Sequence, residues 1–486
     1  MSARPTTRRK FLRQFNCAAI GSSAILNTLL NLKLANQVSA QDLPGGHDAK
    51  ALVCLFMSGG WDSNQMLVPW ESSAYNIYST TRGPFGSVGG LAIDRNALLR
   101  LTGPAADYGF HPSMTGMHAM ATGTGVFAGQ GQRLAVISNV GTLVQPITKA
   151  QYVAWENGQN AALPVPRALF SHSDQIEQWQ TAVPQGMLEL TGWAGRAADI
   201  MHSTYNTGAT SMNISLGGNN VFQVGNTTTQ FVITPAGSLG FETWGNAHPL
   251  KNAGLKSTLE QEYTNLLAKG FANLTRESIE AQQYFQESFD SAAADLGAAE
   301  AYFPSGNGLA QALRAVVRTL RIRGQLGLRR QTFFINWGGW DMHGDLLEPQ
   351  AAMLDGVDAA ITAYQRALDF HGLANDVVTF TASDFGRTLR SNGRGTDHAW
   401  AGNAFVFGGP VDGGKIFGNF PDLTLDGPDD VGYGGRLLPS VSADAYFAEM
   451  LRWFGVPGHE MASVLPNIAN FWNPLSGTAP LGFIKP

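Results

Sequence analysis

Cysteine is nearly missing from this chain, with two in 486 residues. Cys17 falls in an N-terminal targeting segment and Cys54 inside an apolar run, so the remaining chain can form neither an internal disulfide nor a zinc site built on thiolates. Any metal has to be held by histidine and carboxylate. Charge is also scarce: charged residues make up 14% and the formal net charge is -5. Without a basic run there is no electrostatic footprint for nucleic acid, which removes that class of partner. No glycine-rich dinucleotide fingerprint follows a strand and there is no cysteine cluster, so common redox cofactors lack a seat. Beyond the N-terminus no apolar run reaches the roughly 20 residues that a membrane helix needs. What is present is a hydrophobic fraction of 44%, enough for a large core and too much for a disordered chain.

The first residues carry Thr6-Thr7-Arg8-Arg9-Lys10-Phe11-Leu12, the paired arginines and apolar step of a twin-arginine export signal. A moderately apolar stretch from Phe15 to Leu34 follows, diluted by Asn16, Asn27, Asn31 and Lys33, and Val38-Ser39-Ala40 forms a small-x-small cleavage pattern. Residues 1–40 are therefore expected to be a signal peptide read by the twin-arginine machinery. They would deliver residues 41–486 to the periplasm or the extracellular space without a stable membrane anchor.

Continuous apolar runs at 51–58, 134–140, 331–337, 377–382 and 403–407 have the length and β-branched or aromatic content of strands buried on both faces. Amphipathic helical patterns lie between the later runs, at 309–326 and 349–370. Strands alternating with such helices indicate parallel βαβ units, hence an α/β fold around a mainly parallel sheet. The stretch 206–244 is rich in Gly, Asn and Thr and reads as an insertion capping the sheet edge or mouth, or as plain surface loop. A long charged helix or helical hairpin is expected at 256–296, so that one domain carries an insertion at about 200–300.

In open parallel sheets the loops at the carboxyl ends of the strands converge on one rim, where ligands bind. The residues following each run are Gly59-Gly60-Trp61-Asp62, then Gly338-Gly339-Trp340-Asp341-Met342-His343, then Ser383-Asp384-Phe385-Gly386-Arg387. Gly395-Thr396-Asp397-His398 leads into the last run. Carboxylates gathered at one rim repel one another unless a cation neutralises them. Mixed carboxylate and imidazole ligation suits Zn or Mn rather than Ca. Asp62 and Asp384 could equally cap helices.

In order, and along nearly the whole mature chain, these four motifs, with Asn64 and Val68-Pro69 after the first, resemble the secreted bacterial family catalogued as domain of unknown function 1501. That family in turn resembles the alkaline phosphatase and sulfatase superfamily. The resemblance implies a three-layer α/β sandwich with a rim that holds one or two divalent ions. It implies one metal site from Asp341, His343 and His398, the Gly-Thr-Asp-His motif being similar to that of phosphopentomutases. A second site would draw on Asp62 and Asp384, with His111 or His172 to complete it. Where superfamily members commonly have Asp-His or Asp-Asn, this chain has Asp384-Phe385. Ser171, in Phe170-Ser171-His172-Ser173-Asp174, is the expected nucleophile, with Ser63 as the other option, and Arg387 the expected clamp on an oxyanion. Cys54 lacks the Cys-x-Pro-x-Arg context of a sulfatase cysteine. The implied activity is hydrolysis of phosphate or sulfate esters, small or polymeric. The competing expectation is a secreted binding or assembly protein that keeps the fold without the chemistry, for which Phe385 in place of a ligand is the motive.

Overall fold

The computed structural model describes residues 48–240 and 248–486. The expected export signal at 1–40 lies outside the described residues.

Five long strands form the middle of the sheet: β1 (Lys50–Met57), β2 (Leu134–Gly141), β3 (Arg330–Asn336), β4 (Val377–Ser383) and β5 (Gly402–Phe407). Each falls on one of the apolar runs. β1 is central and parallel to both neighbours, with Cys54 opposite Phe380 of β4 and Phe334 of β3. Burial of Ala51 through Met57 is what that position requires, since a strand between two parallel neighbours has both faces covered. Cys54 is buried there and is not available for chemistry.

Among the described residues the sheet has ten strands. From β1 it runs through β4 and β5 to β2 and the short strands Ile416–Phe417 and Val441–Ser442. On the other side it runs through β3 to Asn213–Ser215, Phe231–Thr234 and Gly237–Ser238. Most pairings are parallel, as expected, but β5 runs antiparallel to both β4 and β2. The connection from β4 to β5, residues 384–401, contains no helix to serve as a crossover. It returns the chain beside the strand it left, which only an antiparallel partner permits. That connection carries Asp384, Arg387, Asp397 and His398, so all four are held at the carboxyl end of β4.

Neighbouring residues of β4 show that helices cover both faces. Thr379 donates to the Tyr364 hydroxyl at 3.2 Å, on the helix Leu347–Phe370. Phe380 packs instead on Trp193, Tyr446 and Phe447, from the helices Trp193–Tyr205 and Ala443–Phe454. Successive side chains of a strand point to opposite faces. The fold is thus α/β in three layers, helices on either side of a mainly parallel sheet. Leu354, Val357, Ile361, Tyr364 and Leu368, three or four residues apart, make the buried stripe of the long helix. On the other face Trp193 stacks on Phe447 at 4.5 Å, a contact worth about 0.5–1.5 kcal/mol beyond the area it buries.

The Gly- and Asn-rich stretch after residue 206 contributes the edge strands Asn213–Ser215, Phe231–Thr234 and Gly237–Ser238 directly to the main sheet. Two helices, Pro249–Glu260 and Leu266–Phe289, follow it.

Candidate metal centre

Three histidines and one aspartate meet at the carboxyl rim. His172 begins the helix His172–Thr181, Asp341 and His343 sit in the loop after β3, and His398 lies in the β4–β5 connection. The Asp341 carboxylate is the hub. Its Oδ1 lies 2.9 Å from His343 Nε2 and 3.4 Å from His398 Nε2, and its Oδ2 lies 3.4 Å from His172 Nε2. The two nitrogens His343 Nε2 and His398 Nε2 are 3.0 Å apart.

The far nitrogen of each ring is spoken for. His172 Nδ1 faces Asp384 Oδ2 at 2.6 Å, His343 Nδ1 faces Asp397 Oδ1 at 3.1 Å, and His398 Nδ1 faces the Phe170 carbonyl at 2.8 Å. All three partners are acceptors, which assigns the hydrogen to Nδ1 and, in the neutral ring, leaves a lone pair on each Nε2. Three Nε2 atoms then face one carboxylate, a donor set that a divalent cation would suit. His172 Nε2 is buried without a hydrogen-bond partner, as a ligand atom awaiting a metal would be. Tetrahedral zinc with Zn–N bonds of about 2.0–2.1 Å places its ligand atoms roughly 3.3 Å apart, close to the 2.9–3.4 Å between Asp341 and the three Nε2 atoms. His172, Asp341 and His398 present ligand atoms all within 4.8 Å of one another. Histidine ligands held on their other nitrogen by carboxylates or a carbonyl are the usual outer support of such a site.

The surrounding charges are arranged for this. Burial works against ionisation of Asp341, yet the Arg387 guanidinium outweighs it and holds the carboxyl below its usual range. Asp397 is likewise kept low: burial opposes its charge, but Asn392 and His343 prevail. Asp384 is wholly buried, and burial raises its pKa against the pull of His172 and the Gly59 N–H. Burial also lowers the pKa of His398, favouring the neutral ring a metal requires. Gly59 closes this part of the rim. At φ +117° it lets its N–H reach Asp384 at 3.1 Å, and a Cβ there would sit 2.7 Å from the Asp341 backbone nitrogen.

The expected site residues divide on this geometry. Asp341, His343 and His398 are brought together. Asp384 belongs to the centre through His172, as the partner of its Nδ1, rather than facing the Nε2 cluster. Asp62 stands apart: its Oδ2 is 2.6 Å from Arg82 Nη2, with both residues buried, so its charge is already matched by a guanidinium. Arg387 is 1% exposed, and four of its five N–H hydrogens are used within the fold. Its Nε donates to Gly60 O at 2.6 Å, its Nη1 to Thr396 O at 3.1 Å, and its Nη2 to Asp341 Oδ1 at 2.5 Å and to the Gly59 carbonyl. It pins three loops together at the rim. The Ser171 hydroxyl donates to Asp174 at 2.6 Å. Ser63 is buried, with its Oγ accepting from Asn403 N. His111 is buried and accepts from Ser113 N.

His172, expected only as one option for completing a second site, instead joins the cluster around Asp341, and its motif gave a signal in the Ser and Asp that flank it. Phe170 is an addition to the expected residues. Its backbone, at φ +75°, turns its carbonyl onto His398, and strain of this kind in a non-glycine residue collects at working sites.

The model of a family described as "Protein of unknown function (DUF1501)" matches residues 49–431, which include every residue of the cluster. The chain belongs to this family. No curated protein matches the DUF1501 chain. Two solved structures align over most of its length. One is described as Ps i-CgsB in complex with k-i-k-neocarrahexaose, at 10% identity and a TM-score of 0.31, covering 88% of this chain and 77% of the other. The second is the PsFucS1 sulfatase from Pseudoalteromonas sp., also at 10% identity and a TM-score of 0.31, covering 89% and 71%. Likeness at this level transfers no substrate. Among the described residues no helix is long and apolar enough to cross a membrane.

Proposed function

We propose that the rim binds a divalent metal, zinc before manganese, and that the DUF1501 protein is an exported hydrolase of phosphate or sulfate esters. One observation carries the reading: three Nε2 atoms, each with its ring fixed through Nδ1, face Asp341 at ligand separations. The charge count supports it. Asp341, Asp384 and Asp397 against Arg387 leave two negative charges over, which a divalent ion neutralises. Three imidazoles in the set favour zinc over the harder manganese.

His172, Asp341, His343 and His398 would hold the ion, whose chemistry when bound is to polarise an ester oxygen as a Lewis acid. The chain's own groups do the rest. Asp384, Asp397 and the Phe170 carbonyl keep hydrogen on Nδ1 and aim each Nε2, while Arg387 fixes Asp341. With Ser171 and Ser63 both engaged elsewhere, the attacking group is solvent water, and the half-exposed Asp341 and His343 leave the cluster open to it.

Elemental analysis of folded protein, followed by a panel of aryl phosphates, phosphodiesters and aryl sulfates, tests this. Bound zinc or manganese with turnover lost in Asp341→Ala is expected; a fully metal-loaded protein that turns over no ester counts against it. The engagement of both nominated catalytic side chains, Ser171 and Arg387, favours a second reading, in which the metal is structural in a secreted binding protein. There Asp341→Ala would lower the melting temperature and alter no activity.

A further inference from the structure

A cleft of about 410 Å³ opens beside the metal centre, and its wall includes Arg390, Asn392, Asp397, Asp426, Asp430 and Tyr433. It starts one side chain from the cluster, because Asp397 Oδ1 accepts from both His343 Nδ1 and Asn392 Nδ2, at 3.1 Å each.

Tyr433 is built into this cleft at a conformational cost. It is a non-glycine residue at φ +55° between Gly432 at +111° and Gly434 and Gly435 at +88° and +90°. The turn is pressed close to the chain leading to Asp397: Arg390 N donates to Gly434 O at 2.8 Å, and a Cβ on Gly435 would meet Leu389 Cβ at 2.5 Å. The Tyr433 side chain is nonetheless 69% exposed. Arg436 covers one side of it at 4.5 Å, and the same guanidinium lies 3.8 Å over the Phe170 ring and donates to His398 O at 3.0 Å. Arg436 thus places the aromatic ring beside the segments that carry Phe170 and His398. Strained residues held by an over-determined surround mark ligand clamps.

The lining chemistry narrows the ligand. Among the described residues, no hydrogen bond or ion pair occupies the Arg390 guanidinium, the Asp426 carboxylate or the Tyr433 hydroxyl. An apolar ligand would leave these groups unsatisfied, and a polyanion would meet Asp397, Asp426 and Asp430 together. A ring of hydroxyls is both donor and acceptor, so it suits a carboxylate and a guanidinium at once, and its C–H face suits the open side of a tyrosine. We propose that this cleft is the subsite for the neutral sugar portion of a carbohydrate ester whose ester group lies at the metal centre. The proposal rests on the hydrolase reading above.

The test uses the mature protein, with metal and after chelation, on an array of neutral oligosaccharides and their sulfated and phosphorylated forms, with nucleoside monophosphates as controls. Retention of oligosaccharide is expected in both metal states, since none of the free cleft groups is a ligand. Tyr433→Ala and Asp426→Asn should each weaken retention by roughly tenfold, with metal content and turnover of a small aryl ester unchanged, and Tyr433→Phe should lose less. No oligosaccharide retained by the wild type, retention indifferent to Tyr433→Ala, or preferential capture of the nucleotide controls overturns the proposal. Retention without turnover of any ester would overturn the hydrolase reading and leave the sugar site standing.

Discussion

Asp384→Asn separates orientation of a ligand from ligation itself. Asp384 is wholly buried and meets His172 Nδ1 at 2.6 Å, a charge-assisted contact that fixes the ring and makes Nε2 more basic. Asparagine keeps the shape and an acceptor but loses the charge, and losing such a supporting partner costs about 10–100-fold in metal affinity. At about 1.36 kcal/mol per decade this is roughly 1.4–2.7 kcal/mol of metal binding. Fold stability should fall less than when a buried ion pair is broken, because burial already disfavours the Asp384 charge and the neutral amide removes that penalty. The assay is zinc competition against a chromophoric chelator, with urea unfolding of the metal-free proteins as the control. His172→Ala should match or exceed the loss. If Asp384→Asn binds zinc as tightly as wild type, or if His172→Ala has no effect while Asp384→Asn abolishes binding, the assignment of His172 as ligand and Asp384 as its support is wrong.

Asp62→Ala leaves the Arg82 guanidinium buried and unpaired and should cost about 3–5 kcal/mol in urea unfolding; a double Asp62→Leu/Arg82→Met variant should recover most of it. Chelation should lower the melting temperature of wild type but not of His343→Ala, since free metal at about 100 times its Kd adds about 2.7 kcal/mol to the folded state. Ser171→Ala should keep ester turnover within about twofold, its hydroxyl being committed to Asp174; a complete loss would restore the serine as nucleophile. Burial pushes the Asp444 carboxyl up to about 8 from an ordinary 3.8, opposed by Arg196. The folded state therefore holds that proton more tightly than the unfolded one. The contribution is complete below about pH 4 and is lost as pH rises through about 8, so Asp444→Asn should gain on wild type between urea midpoints at about pH 5 and pH 9.

The sheet was readable because its signal is strong and local. Five apolar runs became its five long strands, and buried strands of this kind leave no polar alternation to confuse the pattern. The direction of β5 was not readable, because apolar runs carry no orientation; only the length and content of the 384–401 connection decide it. At the site, the motifs located the loops but could not distinguish a carboxylate facing a metal from one facing a histidine or an arginine. Asp62, Asp384 and Asp397 each sit in a rim motif, and their partners, Arg82, His172 and His343, lie 20, 212 and 54 residues away in sequence. Arg387 shows the same blindness from the other side. A guanidinium next to a metal motif reads as an anion clamp until the surrounding carbonyls are seen to use its hydrogens.

Those long separations also bear on how the centre comes into being. Its four proposed ligand side chains come from three segments, around 172, 341–343 and 398, and the groups that aim the three rings come from 170, 384 and 397. No segment alone presents more than two ligand atoms, so the unfolded chain has little to offer a metal, and most of the binding free energy adds to fold stability. Among the described residues the free thiol is the buried Cys54, so selectivity of the proposed centre would fall to geometry and to which ion is at hand when the rim closes. A chain that closes the rim before leaving the cytoplasm would take its ion from that compartment, which gives the proposed twin-arginine route a chemical consequence. If the same ion occupied protein exported unfolded and closed outside, geometry alone would have made the selection.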